Sequence, residues 1–231
     1  MNTHKKTARI VGALFLIAMV TSLVGGIWLE SLISAPDYLE IVSANQTQVI
    51  IGVLLELINV IAVVGIAVLM FPILNMYSKN IARGYFGFRI LESALLIVAV
   101  ISPLLLITLS QEYRTSGTPD ESYFHNIGTL LLAGRAYLTG LLVALFFSLG
   151  ALLFYYLLYQ SKLIPRFISI WGLIGVVLVL TWNLFETFGI SISIGIIFGL
   201  TIILNEIFLG IWLILKGFDS FAIASGSETQ S

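Results

Sequence analysis

Glu56, Glu92, Glu186 and Glu206, with Arg89 and Arg135, are charges placed inside or at the rim of stretches apolar enough to cross a membrane. A charge at the bilayer centre costs roughly 3 kcal/mol on insertion scales. Such side chains should therefore face a bundle interior and find partners there. Carboxylates beside an arginine could relay protons, hold a small ligand, or lock helices against one another. They could also do acid–base chemistry, although no residue pattern points to a substrate.

Depth follows from the flanking cations. Glu92 lies nine residues past Arg83, and Glu206 ten residues before Lys216. At a helical rise of ~1.5 Å per residue, both sit ~14 Å from the same boundary. Arg89 is three residues from Glu92, hence on its helix face, and Asn205 adjoins Glu206. An inner cluster of Arg89, Glu92, Asn205 and Glu206 is expected, with Arg89 turned inward to tie two helices together. Glu56 and Asn59 share a face in the outer third of their helix. Asn183 and Glu186 share one near an outer helix end, and Arg135 opens a helix on that side. These five form the expected outer cluster. Each cluster carries one arginine and two carboxylates, a formal surplus of one negative charge that a proton on one carboxyl would relieve.

Other chemistry is excluded or unsupported. The chain has no cysteine, which removes disulfides, thiolate metal sites and cysteine nucleophiles. The two histidines, His4 and His125, fall on opposite sides of the membrane in the topology below and cannot share a metal. The sequence holds no H-E-x-x-H, G-x-S-x-G or Walker pattern. No cofactor, metal or catalytic residue is expected. A formal net charge of −1 gives no field that would favour nucleic acid.

The elements that must position these charges are membrane spans. The 231 residues are 59% hydrophobic and only 10% charged, and mean hydropathy is +1.06. That is too little polar surface for a water-soluble domain of this size. Six continuously apolar runs, at about 10–29, 50–72, 86–109, 136–159, 167–186 and 194–215, each supply the ~20 residues a spanning helix needs. None shows the period-2 alternation of a barrel strand. The expectation is an all-α polytopic membrane protein, a six-transmembrane-helix bundle forming one domain over 1–219. A short disordered tail should follow at 220–231. Run 10–29 is too long for a typical signal-peptide core, so an uncleaved first helix is expected.

Basic residues zone sharply. Lys5, Lys6 and Arg9 precede the first span, Lys79 and Arg83 lie between the second and third, Lys162 and Arg166 between the fourth and fifth, and Lys216 follows the sixth. The intervening loops are mainly acidic, with Glu30, Asp37, Glu40, Glu112, Asp120 and Glu121. The positive-inside rule then puts both termini in the cytoplasm. Three of the basic segments share the form K-x-x-[A/P]-R. This fits either three tandem helical hairpins or convergent anchoring, since Lys and Arg four apart share a helix face.

The outer loops carry structure of their own. Ser34-Ala35-Pro36-Asp37 reads as a helix start. Thr118-Pro119-Asp120-Glu121 reads as a capping box. Tyr123, Phe124, Ile127, Leu130 and Leu131 then repeat at helical spacing, which suggests a short amphipathic helix on the outer membrane face. Rows of small residues at four-residue spacing (Ala18, Ser22 and Gly26; Gly140, Ala144 and Ser148; Gly195 and Gly199) predict close helix packing.

The opening KKTARIVGALFLIA at 5–18, the Arg89-Ile90-Leu91-Glu92 step, and Trp212-Leu213-Ile214 followed by Lys216-Gly217-Phe218 together resemble the bacterial membrane-protein family catalogued as domain of unknown function 4386. The resemblance covers all six runs. It implies a small multi-pass protein of the bacterial cytoplasmic (inner) membrane and carries no activity with it. Read from the residues, the first functional expectation is small-ligand binding or proton-linked transport through the buried clusters. Six helices are few for a complete transporter, so a homodimer is expected, with membrane lipids and a small molecule as the other partners. The alternatives are a structural or regulatory membrane protein whose buried charges only fix helix packing, and a membrane enzyme acting on lipid.

Overall fold

The computed structural model describes residues 3–115, 121–190 and 195–228. The described chain is helical almost throughout, and six of its helical stretches are long and apolar enough to cross a membrane. Helix α1 is Thr3–Ile33, α2 Tyr38–Ala44, α3 Gln46–Asn75, α4 Lys79–Ala99 and α5 Ile101–Thr115. Helix α6 is Glu121–Tyr137, which passes through a π-helical turn at Leu138–Val143 into α7, Ala144–Ser161. Helices α8, Arg166–Thr187, α9, Gly195–Leu215, and α10, Ser220–Glu228, complete the order.

Six of these close a ring in chain order. Helix α1 packs on α3, α3 on α4, α4 on α7, α7 on α8, α8 on α9, and α9 returns to α1. Each helix buries one stripe and turns the rest to the hydrocarbon. On the outer surface Val20, Ile27, Ile61, Ile174 and Leu204 are all more than half exposed, as lipid-facing side chains are in a bundle whose solvent is apolar. Inside, Phe15, Ile66, Met70, Tyr85, Phe154, Tyr155, Leu158, Val176 and Leu209 form one apolar cluster that all six helices share. Helices α1 and α9 meet backbone to backbone. A Cβ added to Gly12 would stand 2.5 Å from the Gly210 carbonyl oxygen, so only glycine lets these backbones meet.

The helix ends are set by local chemistry. Extended Ser78 opens α4, its Oγ accepting from Ile81 N–H at 3.5 Å. Lys162, at φ 57°, ends α7 in the left-handed conformation, and Pro165 precedes the first turn of α8. These turns lie at one end of the ring, here named the basic end, which carries Lys79, Arg83, Lys162, Arg166 and Lys216. The start of α1 is there too, because Gly217 lies beside Lys5 and Ala8.

At the opposite end the chain departs from the sequence expectation. The run read as one span at 86–109 lies within one long apolar stretch, Lys79–Thr115, which a turn residue at Val100 divides into α4 and α5. The segment read as a lone amphipathic helix is α6, but it does not stand apart. It packs on α5 and runs without a break towards α7. Helices α2, α5 and α6 and the ends of α1 and α3 build a second apolar cluster around Leu29, Ile33, Leu39, Val42, Val53, Leu106 and Phe124. The Tyr38 hydroxyl donates to the His125 carbonyl at 3.3 Å and closes this cap. The capping box at Thr118–Asp120 lies outside the described residues.

Two further expectations change. Where a disordered tail is expected from Ser220, the chain forms α10. Asp219 caps it, accepting from the Phe221 and Ala222 N–H groups at 2.9 and 3.0 Å, and Tyr77 donates to the Ala222 carbonyl at 2.9 Å. The rows of small residues do not all mark packing faces. A Cβ on Gly26 or Gly140 would meet nothing, whereas Ala18, Ser22 and Ala144 line a cavity inside the ring.

Candidate functional site

The cavity sits where the ring helices face one another. Its volume is about 230 Å3, and every ring helix contributes to its wall: Phe15, Ala18, Met19 and Ser22 from α1; Asn59, Val63 and Ile66 from α3; Arg89, Glu92 and Leu96 from α4; Ala144 and Phe147 from α7; Val179 from α8; Glu206 from α9. The π-turn adds Thr139 and Val143. Small side chains on α1 and α7 leave the space, and the charges stand at its edge.

Arg89 and Glu92 are each 4% exposed and Glu206 is 6% exposed. Arg89 Nη1 donates to Glu92 Oε2 at 2.8 Å, the two residues being one turn apart on α4. The Arg89 guanidinium also lies over the Phe147 ring, 5.4 Å from its centroid, where the electron-rich face favours a cation. Tyr85, one turn before Arg89, stacks on Phe154 at 5.1 Å. Its hydroxyl neighbours Arg89, but among the described residues the Tyr85 hydroxyl and Arg89 Nε, both buried, have no hydrogen-bond partner, nor has the Tyr155 hydroxyl. Buried polar atoms without partners are rare in folded proteins and call for an explanation such as a ligand or ordered water.

The inward turn of Arg89 agrees with the sequence reading, but it bonds within α4 rather than tying two helices. The ring places α4 and α9 opposite each other, with two helices between them on either side. Glu206 therefore faces the Arg89–Glu92 pair across the cavity. Asn205 does not join this group. Neighbouring helix residues point about 100° apart, and Asn205 faces α8, where its Nδ2 donates to the Ile168 carbonyl at 2.9 Å.

The expected outer cluster splits. Arg135, 4% exposed, grips Glu56 with both terminal nitrogens, Nη1 to Oε2 at 3.2 Å and Nη2 to Oε1 at 2.5 Å. Its Nε reaches Glu30 Oε1 at 3.4 Å. Nη1 also donates to the Ala99 carbonyl at 3.2 Å. That carbonyl is the one Pro103 leaves without its helical donor, since a proline four residues on has no N–H. One guanidinium thus joins α1, α3, α4 and α6 where the ring meets the cap. Asn183 and Glu186 are elsewhere. Asn183 donates to the Val179 carbonyl of its own helix at 2.9 Å, and exposed Glu186 accepts from the Trp182 indole at 3.2 Å. Asn59, one turn along α3 from Glu56, faces the central cavity.

Glu30, Thr139, Tyr85 and Tyr155 were not anticipated. Glu30 reads as a loop acid because apolar character fades there, although α1 continues to Ile33. Tyr85 carried a usable signal: Tyr85, Arg89, Glu92 and Leu96 fall at i, i+4, i+7 and i+11, one stripe of a helix.

No curated protein and no solved structure matches the chain. Over residues 10–217 it matches the family described as Domain of unknown function (DUF4386), and this six-helix, multi-pass membrane protein belongs to that family.

Proposed function

We propose that the chain binds a small cationic ligand in the ring cavity, in a bacterial cytoplasmic membrane with both termini inside, and couples that binding to a proton. The observation that carries this reading is the cavity itself, walled by all six ring helices and edged by one arginine and two buried carboxylates. Arg89 is engaged by Glu92, so Glu206 across the cavity is the acid left to meet a cation. At about 230 Å3 the space is below the roughly 300–1,000 Å3 of drug-sized sites, which favours a small amine, a monovalent ion or a proton with water. Polar side chains continue from the cavity towards the cap: Asn59 leads to Glu56 and Thr139 to Arg135, each one helical turn away. A proton path from the cap would use that line.

The test is thermal unfolding of purified protein in detergent from pH 5 to 9, with sodium, ammonium and methylammonium chlorides as probes. A ligand that binds only the native state raises apparent stability by mass action. The reading expects a cation-dependent rise in the parent that Glu206→Gln abolishes while its basal melting is retained. No cation shift at any pH, or an equal shift in Glu206→Gln, would overturn it. The structural reading has its own support, but at the other cluster: Arg135 ties four helices together, whereas the Arg89–Glu92 salt bridge lies within α4 and meets α7 through the Phe147 ring.

A further inference from the structure

We propose that the basic end of α8 and α9 binds an anionic phospholipid, its phosphate in a cationic pocket and an acyl chain along an aromatic seam below. The pocket has a volume of about 630 Å3 and is lined by Lys162, Arg166, Lys216, Trp212 and the turn Gly217–Ser220. Its floor is Leu163 and Ile164, both buried. No ion pair among the described residues involves Lys162, Arg166 or Lys216. The one acid lining the pocket, Asp219, spends a carboxylate oxygen on the first N–H groups of α10. Arg166 is braced over the Tyr159 ring at 5.0 Å. Three cations with no anionic partner thus converge on one recess, and a phosphate diester complements them.

A lipid is favoured over free phosphate by what lies beneath. From the pocket, the seam between α8 and α9 carries Trp212, Phe208, Trp171 and Phe167 in continuous contact. Phe208 is 6.4 Å from Trp212, 6.0 Å from Trp171 and 5.8 Å from Phe167, ring centre to ring centre. Phe167 and Phe208 are exposed on the hydrocarbon-facing surface, with Ile170, Ile211 and Leu215 beside them. Cations at the boundary, an indole one turn inside it, and an aromatic track leading inward match the layers of one phospholipid molecule.

Native mass spectrometry of the detergent-purified protein decides this, titrating phosphatidylglycerol, phosphatidylcholine or inorganic phosphate. Phosphatidylglycerol should be retained and phosphatidylcholine should not. A variant carrying K162Q, R166Q and K216Q should bind phosphatidylglycerol about 100-fold more weakly, each cation near the surface being worth roughly a factor of five. F208A should weaken lipid retention with all three cations in place. Its unchanged melting curve would show that the fold is kept. The control K79Q/R83Q removes two charges from the same end outside the pocket and should bind like the parent. Equal loss in that control would reduce the effect to general charge and overturn the site. Retention by the triple variant would do the same, and tight binding of inorganic phosphate indifferent to F208A would overturn the lipid assignment.

Discussion

Replacing Arg135 by methionine should be among the most damaging single changes in this protein. The substitution keeps the apolar stem and removes the guanidinium that joins four helices. Three acceptors are then stranded, and they do not count equally. The Glu30 side chain is 52% exposed, so water takes over and its loss is worth at most about 1 kcal/mol. The Glu56 side chain is 12% exposed. Removing one partner of such a buried pair costs ~3–5 kcal/mol, and the residual exposure points to the lower figure. The Ala99 carbonyl, already without its helical donor because of Pro103, adds about 1 kcal/mol. The total of about 4 kcal/mol corresponds to a melting point lower by roughly 10 °C for a chain of this length. Tryptophan fluorescence in mild detergent would read it, four tryptophans being present. The Arg135→Met, Glu56→Gln double variant should recover part of the loss, because no charge is then stranded. Pro103→Ala restores an N–H for Ala99 and should make the Arg135 bond to that carbonyl dispensable. If Arg135→Met melts within about 2 °C of the parent, or the double variant is as damaged as the single one, the clamp does not hold the cap to the ring.

Other expectations follow from single contacts. Gly12→Ala should destabilise by ~1–3 kcal/mol through overpacking, since its Cβ would collide with the Gly210 carbonyl, whereas Gly26→Ala, which meets nothing, should melt like the parent. Tyr77 tethers α10, and burial, reinforced by the charge of Asp219, pushes its phenol from 10 up to about 12. A phenol whose value is raised on folding supports docking below pH 10 and loses that support as pH rises through about 12. Limited proteolysis should therefore cut α10 faster in Tyr77→Phe at neutral pH, and in the parent only in strong alkali. Single cysteines placed near Asp37 or Asp120 in this cysteine-free chain should react with an impermeant maleimide on intact cells, and those near Lys79 or Lys162 should not. Labelling at Lys79 would reverse the orientation.

The ring was largely readable from the chain, and the cap was not. Length and apolar character alone place six spans, because every backbone group in hydrocarbon must bond within its own helix. The α4–α5 break was hidden because apolar residues run on from Ala99 through Leu109. Only Pro103 signals it, and a proline in a membrane helix can as well be a tolerated kink. Depth arithmetic put Glu92 and Glu206 at one level with Arg89 a turn shallower, and all three line one cavity. It could not say which face of a helix looks inward. Asn183 and Glu186 illustrate the limit: they share a face, as their spacing requires, but their bonds stay within α8. Asn205 fails for the same reason, one residue's rotation carrying it from the cavity to α8.

The two clusters have the same composition, one arginine and two carboxylates, yet connectivity gives them different work. Arg135 takes its acids from α1 and α3 while standing on α6, so each bond fixes the position of one helix against another. Breaking it should cost stability. Arg89 takes its acid from its own helix, three residues away. An i, i+3 bond is made as soon as α4 forms, and the hold of Arg89 on a neighbour is the Phe147 ring of α7, worth about 1 kcal/mol, so helix locking accounts for little of the burial of those charges at the centre of the ring. Arg89 meets one neighbouring helix through the Phe147 ring, whereas Arg135 bonds to three, so the cost of burying Arg89 and Glu92 is what the proposed ligand would explain. The same reasoning separates the two by mutation. Replacing Arg89 and Glu92 together by apolar residues should leave melting nearly unchanged, and the proposed cation response should then rest on Glu206, whereas replacing Arg135, Glu56 and Glu30 together should loosen the cap.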